Sequence, residues 1–338
     1  MKTAILFVLM MLVLIGPHEF GHFIVAKLCN VKVNEFSIGM GPLIWKKKKG
    51  ETQYSLRLIP IGGYNAMEGE DENSDDPRAF NKQGPLQRLA ILIAGVTMNV
   101  IIALLICIII VQASGVPVNK IASVDELKPA AVAGLQSGDK IIEVDGVKTI
   151  SWTEVTKQIS KYDNKNNDDI EITYEREGKT ITTSMVPYYD KTRKGYIIGI
   201  TADVSHNPLL CIREGAITTW ELNKTIIQAF KMIFTGKIGR EDVAGPVGLV
   251  KVVNQTKDYG IESFLLLLAL VSLNLAIMNL LPIPGLDGGK ILFVLLKFIS
   301  RGKITDDMEF KATMCGMILL LGLFVVLTVN DIGNIIGF

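Results

Sequence analysis

The sequence predicts a polytopic α-helical membrane protein: four transmembrane helices, a membrane-associated β-loop after the first, and a β-rich domain inserted between the second and third. Three observations carry this reading. Of 338 residues, 49% are apolar and only 20% charged, and the mean hydropathy is +0.35, a balance too apolar for an ordinary soluble enzyme. Four charge-poor runs approach or reach the roughly 20 apolar residues that span a hydrocarbon core. Two polar stretches carry instead the alternation and turn residues of strands and hairpins.

The first span, residues 1–26, is irregular. Thr3 to Pro17 is uncharged but short, and reaches membrane length only by continuing through His18, Glu19 and His22. No small-residue cleavage site follows this run, so it reads as a retained helix rather than a removed signal peptide. Gly16-Pro17 fits a local break or kink that admits water.

Residues 27–87 form a loop with two alternating, glycine-punctuated strand patterns, Ile38 to Trp45 and Tyr54 to Tyr64. Backbone at membrane depth must be satisfied by protein or line a wet cavity, so such strands belong beside an internal site. Lys46 to Lys49 reads as a solvated hairpin turn, and Asp71 to Asp76 as a solvated acidic loop.

The second span covers 88–113, and Asn99 within it reads as an interhelical packing hydrogen bond. Residues 115–187 change to the composition of a small β-rich domain. Pro129 to Leu135 is a short helix with a glycine stop, Gln136 to Asp139 a turn, and Asp145-Gly146 and Glu177-Gly178 are hairpin signals. The stretch 188–258 is a linker with an amphipathic helix near Leu209 to Phe234. That helix lies on a membrane or a partner, or packs on the β domain. The third span is 263–283, then a loop over 284–310, and the fourth span 312–330.

Lysine and arginine crowd both 27–88 and 290–303, which makes these loops cytoplasmic by the positive-inside rule. The termini and the β-rich domain are then extracytoplasmic. With 35 basic against 34 acidic residues, the net charge of +1 points to no nucleic-acid partner. Cys29, Cys107, Cys211 and Cys315 are not spaced as a disulfide framework.

The chemistry centres on His18-Glu19-Phe20-Gly21-His22. On a helix, the i, i+4 spacing puts both imidazoles on one face, able to share Zn2+, with Glu19 aimed at the water the metal polarises. Two imidazoles and a carboxylate inside a membrane helix cost several kcal/mol unless paired or coordinated. A catalytic zinc needs a third ligand, and the remaining histidine, His206, lies in the long polar segment, so an oxygen ligand is expected. Asp287 is the leading candidate, a lone acid at the end of the third span beside helix breakers, and Glu35 is its rival. Asn274 and Asn279 read either as interhelical hydrogen-bonding groups or as donors to an oxyanion or a substrate backbone.

Taken together, these residues resemble the site-2 protease family of intramembrane zinc metalloproteases, in the bacterial branch that includes the regulator of sigma-E protease. The likeness rests on His18 to Phe23, Gly39-Met40-Gly41-Pro42, Pro60 to Tyr64, Ala94-Gly95 with Met98-Asn99, the PDZ-like Pro129 to Gly146 region, Gly245 to Gly248, and Asn279 to Gly289. It implies a zinc endopeptidase with His18, His22 and Asp287 as metal ligands, Glu19 as catalytic acid and base, and Asn279 as a substrate-orienting or oxyanion residue. It implies also that Gly39, Gly41, Gly62 and Gly63 belong to a membrane-reentrant β-loop that receives substrate as an added strand. The implied setting is the plasma membrane, and the implied substrates are single-span membrane proteins, such as a membrane-bound anti-sigma factor or remnant signal peptides. Two other readings are a PDZ-bearing scaffold with a non-catalytic zinc site and a metal transporter, neither of which has a use for Glu19 as a base.

Overall fold

A computed structural model of the chain describes residues 2–70, 74–163, 169–237, 245–300 and 303–336. Residues 71–73 of the acidic loop, and Arg301 of the second basic loop, lie outside that set. The chain divides into two compact units, one formed by 1–110 with 215–338 and the other by 111–214.

The first unit is built on long helices: α1 (Lys2–Leu28), most of α2 (Pro85–Ser114), α7 (Ile261–Leu280) and α9 (Asp306–Ile336). Each contains a stretch long and apolar enough to cross a membrane. α1 is one continuous helix through Pro17, although the ring removes an N–H and crowds the carbonyl one turn back; of the break or kink expected at Gly16-Pro17, the break is absent. Met10, Leu14, Ala103, Cys107, Ala269 and Leu273 pack a fully buried core between α1, α2 and α7. α9 is different: Ile318, Leu321, Phe324, Val325 and Val326 are all exposed, an apolar surface suited to lipid.

Between α1 and α2 lie β1 (Val33–Lys49) and β2 (Thr52–Met67), both bent so that they pair more than once. Residues 33–38 of β1 match 63–67 and also 53–56, while 43–49 match 52–57. The bends fall at glycines. Gly39 has φ +85°, and a Cβ there would come within 2.8 Å of the Ile59 carbonyl oxygen; Gly62 has φ +95°. Lys46 to Lys49 are exposed strand residues, and the turn itself is the following Gly50-Glu51, so the lysines flank the reversal rather than form it.

The second unit contains β3 (Val116–Val124), α3 (Pro129–Val132), β4 (Lys140–Val144), β5 (Val147–Lys148), α4 (Trp152–Ile159), β6 (Ile170–Arg176), β7 (Lys179–Met185), β8 (Tyr188–Asp190), β9 (Gly195–Ile197) and β10 (Ile200–Ser205). The main sheet has the order β10-β3-β4-β6-β7, with β5 on β4 and a separate β8-β9 hairpin. Alternate residues Ile141, Ile172 and Tyr174 fill its core with Ile121, Val155 and Ile198. The hairpin turns at Asp145-Gly146 and Glu177-Gly178 have both central residues at positive φ, the backbone that Asp-Gly and similar pairs tolerate.

This unit is larger than the 115–187 domain read from composition, because β10 pairs antiparallel with β3 from Ile200↔Val124 to Ser205↔Val116. The strand that closes the sheet therefore comes from the stretch taken as a linker. α5 (Pro208–Phe234) continues from it. Its Leu222, Ile226 and Phe230 pack into the core of the helical unit, together with Val253 of α6 (Pro246–Thr256), while Trp220 and Ile227 are exposed. Over these residues the helix therefore packs on the spans. The loop after the third span also contains a helix, α8 (Asp287–Ile299).

Asp139, only 1% exposed, accepts from Arg176 Nε and Nη2, both at 2.7 Å, and from the Gln136 amide at 2.8 Å. Such a two-pronged, charge-assisted pair fixes the turn before β4 against β6. Asp139→Ala removes both carboxylate acceptors and leaves Arg176 the Gly134 carbonyl oxygen, to which its Nη2 donates at 2.8 Å, so the turn before β4 should lose local stability. Faster amide hydrogen exchange confined to 111–214 is the expected result.

Candidate metal centre

His18 and His22 lie one turn apart on α1 and are 8% and 7% exposed. Their Nε2 atoms are 3.2 Å apart. Asp287 Oδ2 lies 3.2 Å from His18 Nε2 and 3.4 Å from His22 Nε2. Among the described residues this is the one cluster of three such ligands. Two ligands bonded to one tetrahedral zinc at 2.0–2.1 Å stand roughly 3.3–3.4 Å apart, so the donor atoms already have the required spacing. Asp287 Oδ2 is buried with no hydrogen-bond partner, as an oxygen reserved for a cation should be. The residues present fit zinc.

Each ligand owes its place to a local feature of sequence. The α1 pair is admitted by small residues opposite. A Cβ on Gly95 of α2 would overlap His22 Nε2 and come 2.8 Å from His18 Cε1, and one on Gly21 would meet the Ala94 carbonyl oxygen at 2.5 Å. Asp287, expected as a lone acid past the end of the third span beside helix breakers, is the first residue of α8. α7 stops at Leu280, and the Pro282 to Gly285 turn, with Gly285 at φ +98°, reverses the chain. Gly288 and Gly289 pack where any Cβ would overlap the carbonyl oxygens of Leu281 and Ile283. The reversal swings the Asp287 carboxylate back to α1, and its place in the first turn of α8 suits an anion.

A cavity of about 230 Å³ opens on the cluster, lined by Glu19, Asn99, Asn279 and Asp287 among others. Asn279 Nδ2 is 3.3 Å from His18 Nε2, whereas Asn274 is exposed and not among the lining residues. Of the four loop glycines, only Gly63 approaches this region: a Cβ there would lie 3.3 Å from Glu19 Cγ. Gly39, Gly41 and Gly62 face atoms of their own hairpin, in particular Ile59, Arg57 and Met40. They shape the loop rather than line the cavity.

Glu35, the rival ligand, is committed elsewhere. It accepts from Arg57 Nη2 at 2.8 Å and from Ser55 Oγ. Burial pushes its carboxyl upward, but the bonds from Ser55 and Arg57 outweigh that and hold it below the usual carboxylate range. His206 is equally remote in role, with Nδ1 2.9 Å from the Gln112 carbonyl oxygen.

The sequence reading missed what holds the imidazoles. His22 Nδ1 lies 2.8 Å from the Ile91 carbonyl oxygen, and His18 Nδ1 3.4 Å from the Asn99 amide. A backbone acceptor leaves no trace in sequence, and Asn99 offered only a lone polar residue in an apolar span.

The family model described as peptidase family M50 matches residues 6–323. The chain belongs to peptidase family M50. A Clostridium acetobutylicum protein carrying the name zinc metalloprotease is 37% identical over 328 residues, covering 96% of each chain. The regulator of sigma-W protease RasP of Bacillus subtilis is 27% identical over 417 residues, covering 98% of each. Among solved structures, the PDZ domain of an SdrC-like protein from Listeria monocytogenes is 31% identical, covering 25% of this chain and 86% of that one, with a TM-score of 0.22. As an M50 peptidase the chain is a zinc metalloprotease, its cofactor is zinc, and it is a multi-pass membrane protein of the site-2 protease type.

Asp287→Ala should lower zinc stoichiometry and peptidase activity together, since two imidazoles alone form an incomplete site. Glu35→Ala should leave both nearly intact. Zinc analysis of the two variants in detergent checks the contrast.

Proposed function

We propose that this M50 peptidase is an intramembrane endopeptidase that cuts transmembrane segments of single-span membrane proteins. The observation that carries the reading is the cluster of His18, His22 and Asp287 beside Glu19, with both histidines and Glu19 on an apolar helix of membrane length and a small cavity opening on the cluster. His18, His22 and Asp287 are its zinc ligands. When bound, zinc supplies Lewis-acid activation at the peptide carbonyl.

This chain's own residues do the rest. Glu19 takes a proton from the attacking water and returns it to the leaving amine. The Asn279 side-chain amide, 3.3 Å from His18, donates to the carbonyl oxygen or to the substrate backbone. A helical substrate hides its backbone from attack, so it must unwind. The segment 62–67, with Gly63 close to Glu19, offers an edge to which an extended substrate adds as a strand. The enclosing helices limit bulk water.

The basic loops support an arrangement in which the metal centre lies toward the cytoplasm, with both termini and the β-rich unit outside a plasma membrane. In that arrangement the β-rich, PDZ-like unit selects substrates by docking or by excluding bulky ectodomains. Membrane-bound anti-sigma factors and remnant signal peptides are the substrates to test first.

Glu19→Gln should cut proteolysis by at least the 10² to 10⁴-fold typical of lost proton transfer while zinc stays bound. Candidate substrates then accumulate on the inactive protein, and mass spectrometry identifies them. Zinc loss equal to that of His22→Ala would instead assign Glu19 a structural role.

Removing the second unit should change which substrates are cut without abolishing cleavage. The excision has a natural seam, because Gln112 Nε2 donates to the His206 carbonyl oxygen at 3.1 Å, holding the two strands of chain side by side. A variant lacking 116–205 removes the whole main sheet, β10 included. Zinc-loaded protein of this kind that cuts no short transmembrane peptide would overturn the selective role.

A further inference from the structure

The three residues of α2 nearest the imidazoles fall at i, i+4 and i+8. They are Ile91, Gly95 and Asn99, which helical periodicity aligns as one stripe. Ile91 offers its carbonyl oxygen to His22 Nδ1 at 2.8 Å, Gly95 leaves the space both rings occupy, and Asn99 lies against His18 Nδ1 at 3.4 Å. Asn99 is 1% exposed, and its backbone carbonyl accepts from Ser272 Oγ of α7 at 2.8 Å. Its side-chain Oδ1 is buried without a partner.

We infer that Asn99 is a positioning residue that sets the tautomer of His18, the counterpart of the Ile91 carbonyl at His22. The inference rests on the metal centre proposed above. A histidine that binds a metal through Nε2 carries its proton on Nδ1, and that proton needs an acceptor. For His22 the acceptor is the Ile91 carbonyl. For His18, whose Nε2 faces His22, Asp287 and Asn279, the group beside Nδ1 is the Asn99 amide. An asparagine amide presents either a donor or an acceptor, and a half-turn about Cβ–Cγ exchanges them. With Nδ2 toward the ring, His18 must be protonated on Nε2 and cannot be a ligand. With Oδ1 toward the ring, the orphaned oxygen gains a donor and Nε2 is free for zinc. Asn99 therefore selects the ligating tautomer in the metal-loaded protein. Ser272 steadies it by tying its backbone to the helix that also carries Asn279.

The test uses full-length protein in detergent. Because the chain has only three histidines, ring-¹⁵N-histidine labelling resolves each nitrogen. In the zinc-loaded unaltered protein, His18 should show a slowly exchanging proton on Nδ1. Asn99→Ala should weaken zinc, measured by chelator competition, about 10 to 100-fold, the usual effect of losing such an outer partner. Asn99→Asp, whose carboxylate also accepts from Nδ1–H, should retain it. A mere packing role predicts something else: a lower thermal transition for metal-free Asn99→Ala with unchanged zinc affinity, and that result overturns the inference. So does a His18 proton on Nε2 in the zinc form, a readout independent of whether Asn99→Ala folds. If the unaltered protein binds zinc no better than His22→Ala, the metal centre itself is wrong. Strong zinc binding that Asn99→Ala does not weaken refutes the role of Asn99 alone.

Discussion

Polar groups inside a hydrocarbon layer must satisfy one another, and much of the helical unit follows from that constraint. Two imidazoles and carboxylates at the depth of a membrane span are costly unless coordinated or hydrogen-bonded. His18, His22 and Asp287 answer it together, with donor atoms 3.2 to 3.4 Å apart. Bringing three such groups together from α1 and α8 requires backbones to approach more closely than ordinary side chains allow. Gly21 and Gly95 permit it between α1 and α2, and Gly288 and Gly289 permit the reversal that begins α8. The glycines thus help to build the candidate metal centre although none of them belongs to the His18, His22 and Asp287 cluster.

The same economy governs the loop between the first two spans. Two strands bent at Gly39 and Gly62 pair with each other repeatedly, so most of their polar backbone is satisfied within the loop. Glu35 and Arg57 neutralise each other there. A segment that would be unstable as loose backbone near lipid becomes a compact hairpin, with one stretch running beside Glu19.

The second unit is stabilised by different means. Its sheet closes over an apolar core, and the deeply buried carboxylate of Asp139 is answered by Arg176. Gln112 and His206 hold the two ends of this unit together.

The sequence alone determined the features that depend on composition and near neighbours. Four apolar runs, the helical i, i+4 spacing of His18 and His22, and the positive-φ turns at Asp145-Gly146 and Glu177-Gly178 are all legible because each arises from a single turn or a single stretch of solvent preference. The resemblance of the scattered motifs to one family extended that reading to zinc and proteolysis. What tertiary structure decided are the relations between distant residues. β10 joining β3, α8 beginning at Asp287, α5 lying on the spans, and Glu35 engaged with Arg57 rather than with the metal cluster each depend on which of several compatible partners lies nearest after folding. The supports of the imidazoles show the limit most plainly. Ile91 acts through a carbonyl oxygen that every residue possesses, and Gly95 acts by having no side chain. Neither property marks a position in a sequence, because it takes its meaning only from the ring that packs against it.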